Sequence, residues 1–471
     1  MVVFEMIKRN KIIESGIGYT IGNFLVKGVV FLSIPIFTRL MNPAEFGQFS
    51  IFMSYASILV ILLGLCLQNT IKNAFYEFRG ELENYIKNII LLNIALLFLC
   101  LFILSIGRKI ITFAFGFDFI ILVMMLMEAF SLSIISIYNI YLTISYEYKK
   151  YIYISGMNGF LSIALSLYFI YNGIFSQSYV SRIFGTVIPA LAISFYLIYF
   201  FWSKEKYYFK YAYFHFALSF SVPLVIHGLS TIVLGQIDTL MLQRFIGNKA
   251  TGLFTFALTF NTIFLIISNS LNNSWGSWVF EKLDKKDYTQ IQQKSRVYFL
   301  LMLLICTCVM LFIPELTILL STREYIDSIW MSIPLTLSSY FAFLYSSVIH
   351  VEYFYKKTSY IALSSCGAAI VNFLLAYLLI PHIGKFVAAY IHLLSYICYF
   401  LFHLICVQKI VKVFNVKITL LYSGLGIVMM FISLFLVNYL CIRILVLILL
   451  LSYIFYKIKI KRKDVFSYER V

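Results

Sequence analysis

Long apolar segments alternate with short polar connections along the chain, and this pattern predicts fourteen helices. Most of the segments are long enough, at about 1.5 Å per residue, to cross the roughly 30 Å hydrocarbon core of a bilayer. Helices are the expected spanning structure because lipid offers no hydrogen bonds to backbone groups. The sequence therefore indicates an all-α polytopic membrane protein. The predicted helices lie roughly at 17–40, 45–67, 87–107, 118–145, 151–172, 178–202, 215–242, 250–275, 296–316, 326–352, 358–380, 385–407, 418–438 and 442–458.

The stretch 19–77 occurs twice, and its second copy begins 205 positions later. The turn Tyr148-Lys149-Lys150 also recurs, as Tyr355-Lys356-Lys357. An internal repeat of this kind is typical of secondary transporters, and an even number of spans per copy gives both copies the same orientation. The matched pairs are Arg39 with Arg244, Gly47 with Gly252, Phe49 with Phe254 and Phe75 with Phe280.

We therefore predict two parallel six-helix lobes with a connecting segment and an appended helix pair. The N-terminal lobe covers 1–203, a cytoplasmic linker covers 204–214, and the second lobe covers 215–410. Residues 411–471 hold two extra helices and a basic cytoplasmic tail.

A row of polar side chains recurs on the second helix of each copy. Steps of three and four residues place each row on one helical face. The two rows predict one hydrated surface built by both lobes and able to bind sugar hydroxyls, although hydroxyls also serve as packing contacts between helices. Ser50, Ser54, Ser57 and Gln68 match Thr255, Thr259, Thr262 and Asn273, and Asn269 lies on the same second helix.

Composition and charge support the membrane assignment and exclude a nucleic-acid protein. Hydrophobic residues make up 62% of the chain and charged residues 12%, far from soluble averages. Most of the 37 lysines and arginines fall on segments that face inward if the N-terminus is cytoplasmic. The net charge of +17 thus indicates topology and contact with membrane lipids. Lys72, Arg79 and Lys87 belong to the inner group, and Arg443 to an outer turn.

Lys27 lies near the middle of the first helix, one turn after Asn23. A cation at this depth is costly against lipid and predicts a site for an anionic substrate group, unless it snorkels or pairs with Glu128 for structural reasons. Asp238 is a further candidate for substrate binding, with pairing to Arg244 as the structural alternative.

Glu128 and His227 are candidates for proton or sodium coupling, because both change charge or bind a cation when buried. A hydrogen-bonded core role is the alternative for each. Arg182 is expected to reach lipid headgroups, and Glu352, His350 and His403 to be solvated near inner helix ends. The role of His392 stays open.

Several enzyme and cofactor classes are not indicated. The eight cysteines are separated along apolar segments and are expected to be free thiols, not metal ligands. There is no phosphate loop, HExxH or GxSxG motif, so no cofactor or catalytic activity is expected. The outer loops are short and leave no room for an outer domain.

Four segments in order resemble a known family: the first helix, RLMNPAEFGQFS, QIDTLMLQRFIG and LLIPHIGKFVAAYIHLLSY. They are similar to polysaccharide (O-antigen-type) flippases of the multidrug/oligosaccharidyl-lipid/polysaccharide (MOP) exporter superfamily. The chain departs from the usual pattern after Gly384, where family members commonly carry a second glycine before paired alanines.

This resemblance implies a fourteen-helix, V-shaped fold. It implies translocation of an undecaprenyl-diphosphate-linked oligosaccharide (an O-antigen, capsule or exopolysaccharide repeat unit) across the bacterial plasma (inner) membrane by ion-coupled alternating access. A polysaccharide polymerase and a chain-length regulator are the expected protein partners.

Two other functions stay open. A multidrug or cation exporter of the same superfamily would need acidic residues in its cavity, and the helices carry Lys27 as well as Glu128 and Asp238, so the sign of the charge is mixed. A membrane-embedded glycan polymerase is disfavoured by the short outer loops.

Overall fold

The computed structural model describes residues 2–204, 206–450 and 452, with side chains from Gly18 onward except at 227, 270, 273 and 358. Within these residues the chain is helical and contains no strand. The helices are α1 Val2–Leu40, α2 Pro43–Gly64, α3 Ile71–Glu77, α4 Leu82–Ile106, α5 Arg108–Phe115, α6 Phe119–Ile144, α7 Tyr148–Tyr171, α8 Ser178–Trp202, α9 Tyr211–Phe245, α10 Asn248–Asp284, α11 Tyr288–Leu320, α12 Ile329–Phe354, α13 Thr358–Ile383, α14 Val387–Ile410, α15 Val416–Phe435 and α16 Leu440–Leu450.

Thirteen of the described helices are long and apolar enough to span a bilayer. The last predicted span, 442–458, begins within α16, and its remaining residues fall mostly outside the described part of the chain. The protein is therefore an all-α, multi-pass membrane protein, as the hydrophobic pattern predicts.

The chain divides into two compact units. Unit 1 holds Met1–Thr255 and Ser365–Lys385, and unit 2 holds Phe256–Ser364 and Phe386–Val471. The predicted lobe boundaries at 203 and 214 stay a prediction.

Each unit is built around one helix that is apolar on nearly all sides, which is the pattern expected of a central helix. In unit 1 this helix is α6, which packs against α2, α4 and α8. In unit 2 it is α12, which lies against α11, α14 and α15 and has most of its side chains buried.

The ends of α6 and α12 share a backbone turn, but not in the register predicted from the Tyr-Lys-Lys match, since Tyr148 begins α7 whereas Tyr355 caps α12. Tyr146 and Lys356 both adopt left-handed conformations, with φ of 57° and 56°. In each turn the next residue closes the helix, since Glu147 N–H donates to Leu142 C=O and Lys357 N–H donates to the carbonyl five residues earlier. The two turns are thus the same C-terminal capping motif.

The predicted linker is held on the start of α4 by paired hydrogen bonds. Asn84 exchanges hydrogen bonds with the Tyr208 backbone at 3.0 and 3.2 Å, and Asn88 donates to the same carbonyl at 3.2 Å. Lys204 bonds to Glu83 at 2.6 Å. These contacts fix the connecting segment within unit 1.

A second contact closes the far end of the linker. Lys210 bonds to Glu81 at 2.8 Å, and the Tyr213 hydroxyl also donates to that carboxylate. The hydrogen bond from Lys210, followed by the one from Tyr213, lowers the pKa of Glu81. Glu81 in turn raises the pKa of Lys210.

Two basic residues differ from the prediction based on loop charge. Lys87, counted with the basic residues of an inner segment, is part of α4 and is fully buried. Arg443, predicted in an outer turn, is 4% exposed and makes two hydrogen bonds of 2.6 Å to Glu315 on α11. The reason is that α4 and α16 begin earlier than the apolar pattern suggests.

Candidate functional site

The predicted substrate residues on α1 lie beside α7, and glycines bring the two helices together. A Cβ atom on Gly18 would lie 2.2 Å from the Tyr148 ring, and one on Gly22 would lie 2.3 Å from Ile152. Small residues at such positions allow close helix packing in membranes.

Polar and aromatic side chains lie along this contact between α1 and α7. The Tyr151 hydroxyl donates to Asn23 Oδ1 at 2.6 Å, and the Tyr19 hydroxyl donates to Leu142 C=O at 2.8 Å. The two tyrosine rings meet edge to face at 5.1 Å. Lys27, one turn beyond Asn23, is exposed, and the described ion pairs do not join it to Glu128. A cation, an amide and two phenols are therefore close together along one surface of unit 1.

The serines of the row on α2 already form hydrogen bonds within the protein. Ser54 is 3% exposed and donates to Gln236 Oε1 on α9 at 2.7 Å. Ser57 is half-buried and donates to Met53 C=O at 2.7 Å. Ser54 is thus an interhelical contact between α2 and α9, whereas the Ser57 oxygen keeps acceptor capacity for a ligand.

The matching row on α10 belongs to unit 2 from Thr259 onward, whereas Thr255 is the last residue of the first segment of unit 1. Thr259 is half-buried and donates to Phe256 C=O at 2.6 Å, and Thr262 is also half-buried. Asn269 is exposed. Whether the two rows form one surface stays a prediction, because they belong to different units.

Asn272 on α10, which the sequence analysis missed, forms hydrogen bonds to other helices, whereas Asn269 is exposed. Asn272 donates to Ser346 on α12 at 2.5 Å and accepts from Ser347 at 2.9 Å and from Tyr298 at 3.2 Å. Trp275 stacks on Tyr298 at 4.5 Å. The run Asn272-Asn273-Ser274-Trp275 is a local signal for this polar and aromatic cluster.

Asp238 lies within the protein and not at its surface. It is fully buried on α9, and Asn372 on α13 donates to its Oδ2 at 3.2 Å. The same two helices also meet through Ser230 with Cys366, at 3.1 Å. Asn372 is a second residue that the sequence analysis missed, because no spacing rule links it to α9.

Of the two predicted coupling residues, Glu128 is the one that the structure describes. It is 1% exposed on α6, and its Oε2 accepts no hydrogen bond from the described residues. The side chain of His227 lies outside the described residues. A buried carboxylate of this kind is costly when ionised and is suited to binding a cation or a proton.

Two expectations about solvated charges are wrong. Glu352 and His403 are both completely buried and lie 2.9 Å apart. These errors arise because the position of a residue along its own helix does not show whether neighbouring helices bury its side chain. The half-buried Arg182 packs between the rings of Phe37 and Phe49, at 3.9 and 4.0 Å, and its expected contact with headgroups stays a prediction.

The described residues offer no cluster of three or more His, Cys, Asp or Glu side chains for a metal ion. All eight cysteines are free. The chemistry available at the predicted site is therefore a lysine ammonium for an anionic group, with amides, hydroxyls and tyrosine rings for polar and sugar surfaces.

Comparison with solved structures identifies the fold. A structure entitled "Lipid II flippase MurJ, inward closed conformation" aligns with a TM-score of 0.70 at 16% identity, covering 94% of this chain and 99% of the other. A multidrug resistance MATE family transporter of the MOP superfamily aligns with a TM-score of 0.64 at 13% identity, over 81% and 95% of the two chains. The fold is that of the MOP superfamily.

Comparison of sequences then gives the family. Residues 12–280, more than half of the chain, match the polysaccharide biosynthesis protein family, and the chain belongs to it. The "Lsg locus putative protein 1" of Haemophilus influenzae is 22% identical over 375 residues, which cover 77% of this chain and 89% of the relative. The resemblance stated from the sequence motifs is confirmed.

Proposed function

We propose that this protein is a flippase for undecaprenyl-diphosphate-linked oligosaccharide, which it moves across the bacterial plasma membrane by alternating access. The observation that carries this proposal is a polysaccharide biosynthesis sequence on a fold shared with a lipid II flippase. Both termini are cytoplasmic in this proposal, since the basic residues favour the inner side. A polysaccharide polymerase and a chain-length regulator are its proposed partners.

Substrate binding is assigned to the exposed cation and amide of the α1–α7 surface. Lys27 pairs with the diphosphate, and Asn23 with the adjacent sugar. Ser57, Thr259, Thr262 and Asn269 supply further hydrogen bonds along the glycan. Asp238 and Ser54 are already bonded to Asn372 and Gln236, so their proposed role is to shape the path.

Transport is coupled to a proton or sodium gradient in this proposal. The buried, incompletely hydrogen-bonded carboxylate of Glu128 supports a coupling role for that residue. His227 remains a proposed coupling residue on the basis of its sequence position alone.

Surface polysaccharide in the native host tests this function. The chromosomal copy is replaced by Lys27→Ala, by Asp238→Ala or by both, and membrane levels of each variant are compared with wild type. We expect Lys27→Ala to lower export, with lipid-linked intermediate accumulating inside. Lys72→Ala, which removes an exposed lysine on α3, is the matched control. Normal export by the double variant would remove the proposed site.

A second candidate is export of cationic drugs, supported by the similarity to the MATE-family fold. The buried carboxylates Glu128 and Asp238 would then bind the drug cation. Loss of drug resistance in the deletion strain, with surface polysaccharide unchanged, would favour this candidate over the first.

A further inference from the structure

Three polar side chains from three helices form a continuous hydrogen-bonded chain inside unit 2. Oε2 of Glu352 on α12 lies 2.9 Å from Nδ1 of His403 on α14. Nε2 of the same histidine lies 2.9 Å from Oγ of Ser364 on α13. Exposure of the three residues is 0%, 0% and 2%, so the chain is sealed from solvent.

The position of the protons follows from the remaining contact of Ser364. Its hydroxyl donates to Ile361 C=O at 3.0 Å, so its oxygen accepts from Nε2–H of His403. With the hydroxyl in this orientation, Nε2 is a protonated ring nitrogen. The variable proton then lies between Nδ1 of His403 and Oε2 of Glu352.

The surroundings of these two atoms make an unpaired charge on either of them costly. The Tyr345 ring stacks on His403 at 5.8 Å, and the Tyr399 ring lies 4.9 Å away. These walls are largely apolar, so loss of the proton would leave an uncompensated negative charge in the interior. Glu352 Oε1 also accepts no hydrogen bond from the described residues, which makes the bare carboxylate costlier still.

Other titratable groups lie near the pair on the same helices and on the following turn. Tyr353, Tyr399 and Cys406 interact electrostatically with Glu352, and Lys409 does so with Cys406. The backbone N–H of Lys357, in the turn after α12, donates to the backbone carbonyl of Glu352 at 2.9 Å.

We propose that Glu352, His403 and Ser364 form a binding site for one transported proton. This inference rests on the proposed function, since it requires a transporter that alternates between two states. In the sealed state the proton is shared by Glu352 and His403. When helix movement admits water to the site, the proton leaves from between Oε2 and Nδ1, and the hydrated carboxylate remains ionised beside a neutral imidazole.

The proton site is tested directly by infrared difference spectroscopy during a pH titration. Purified protein is reconstituted in vesicles of phosphatidylethanolamine and phosphatidylglycerol. We expect a carboxyl signal that is lost in Glu352→Gln and altered in His403→Gln and Ser364→Ala. Glu324→Gln and His382→Gln, which change exposed residues, are the matched controls and should keep it. A spectrum left unchanged by Glu352→Gln overturns the site, and this readout needs no transport.

Transport of the proton is measured in the same vesicles with a pH-sensitive dye inside. The probe is a lipid extract of the host lacking this chain, which contains its accumulated lipid-linked saccharide. We expect Glu352→Gln and His403→Gln to lose the saccharide movement that a pH gradient drives. Both variants should retain exchange of saccharide across the membrane when no pH gradient is applied. If the pH gradient still fully drives saccharide movement in both variants, the inference is overturned.

Failure of the proposed function gives a different result. If the wild type moves no saccharide under either condition, the flippase proposal is refuted together with the transport role of the proton. A signal lost in Glu352→Gln would still support the binding site itself.

Discussion

Gly47 on α2 and Gly252 on α10 occupy equivalent positions of the two repeats and pack directly against each other. A Cβ atom on Gly252 would lie 1.7 Å from Pro43 C=O, and one on Gly47 would lie 2.1 Å from Asn248 C=O. Backbone carbonyls cannot move aside as a flexible side chain can. The repeat therefore places its two glycines where the backbones of the two helices cross.

Alanine at either glycine is expected to destabilise the protein. Gly252→Ala should lower the free energy of unfolding by about 1–3 kcal/mol, the usual cost of overpacking. Gly156→Ala on α7 is the control, because a Cβ there meets nothing within 4 Å. That change should be neutral or stabilising, by up to about 1 kcal/mol, since alanine favours helix. The thermal midpoint in detergent measures both, and equal midpoints for the two variants would contradict the close crossing.

The buried guanidinium of Arg443 is expected to anchor α16 to α11. Its two bonds to Glu315 and a third, at 2.6 Å to Leu311 C=O, hold both terminal nitrogens inside unit 2, while Nε has no hydrogen-bond partner among the described residues. Arg443→Met should cost about 2 kcal/mol of stability, because a carboxylate and a carbonyl lose their partner. Lys285→Met removes the exposed pair with Glu281 and should leave the thermal stability nearly unchanged, because solvent screens such pairs. A similar loss of thermal stability in both variants would argue against the anchoring role.

Arg182 is expected to require a planar cation. Its guanidinium lies over two phenylalanine rings, and a lysine ammonium cannot stack in the same way. Arg182→Lys should therefore lower the unfolding free energy by about 1 kcal/mol despite keeping the charge. Arg108→Lys is the matched control, since Arg108 is exposed and lies over one ring at 4.8 Å. An unchanged thermal midpoint for Arg182→Lys would show that charge alone suffices there.

The linker contact between Glu81 and Lys210 should depend on pH in a defined direction. The folded pKa of Glu81 is depressed, so its contribution is present above the ordinary value of 4.5 and is lost as pH falls through the folded value. The folded pKa of Lys210 is raised, so its contribution is present below 10.5 and is lost at higher pH. The contact should therefore stabilise the fold between these limits.

Glu81→Gln tests this dependence through the thermal midpoint measured at several pH values. We expect a lower midpoint than wild type at neutral pH and the same midpoint in strong acid. Glu77→Gln, at an exposed position on α3, should match wild type throughout. A gap between Glu81→Gln and wild type that persisted in acid would mean that the contact does not act through charge.

The sequence by itself determined the helices and the repeat, because both follow from the spacing of residue types along the chain. Hydrophobic runs specify spans wherever lipid is the solvent, and a duplicated pattern specifies duplicated structure. Gly47 and Gly252 were paired by sequence register before any contact was known. The family motifs were recognisable for the same reason.

Only the tertiary structure decided which polar residues oppose each other across helices. Glu352, Ser364 and His403 are on three different helices, and no periodicity relates them. The burial of Lys87, the ring contacts of Arg182 and the hydrogen bond of Asn372 were missed for the same reason, since all three depend on the neighbouring helices. A helix fixes the faces of its own side chains through its 3.6-residue period, but the packing of helices fixes their partners.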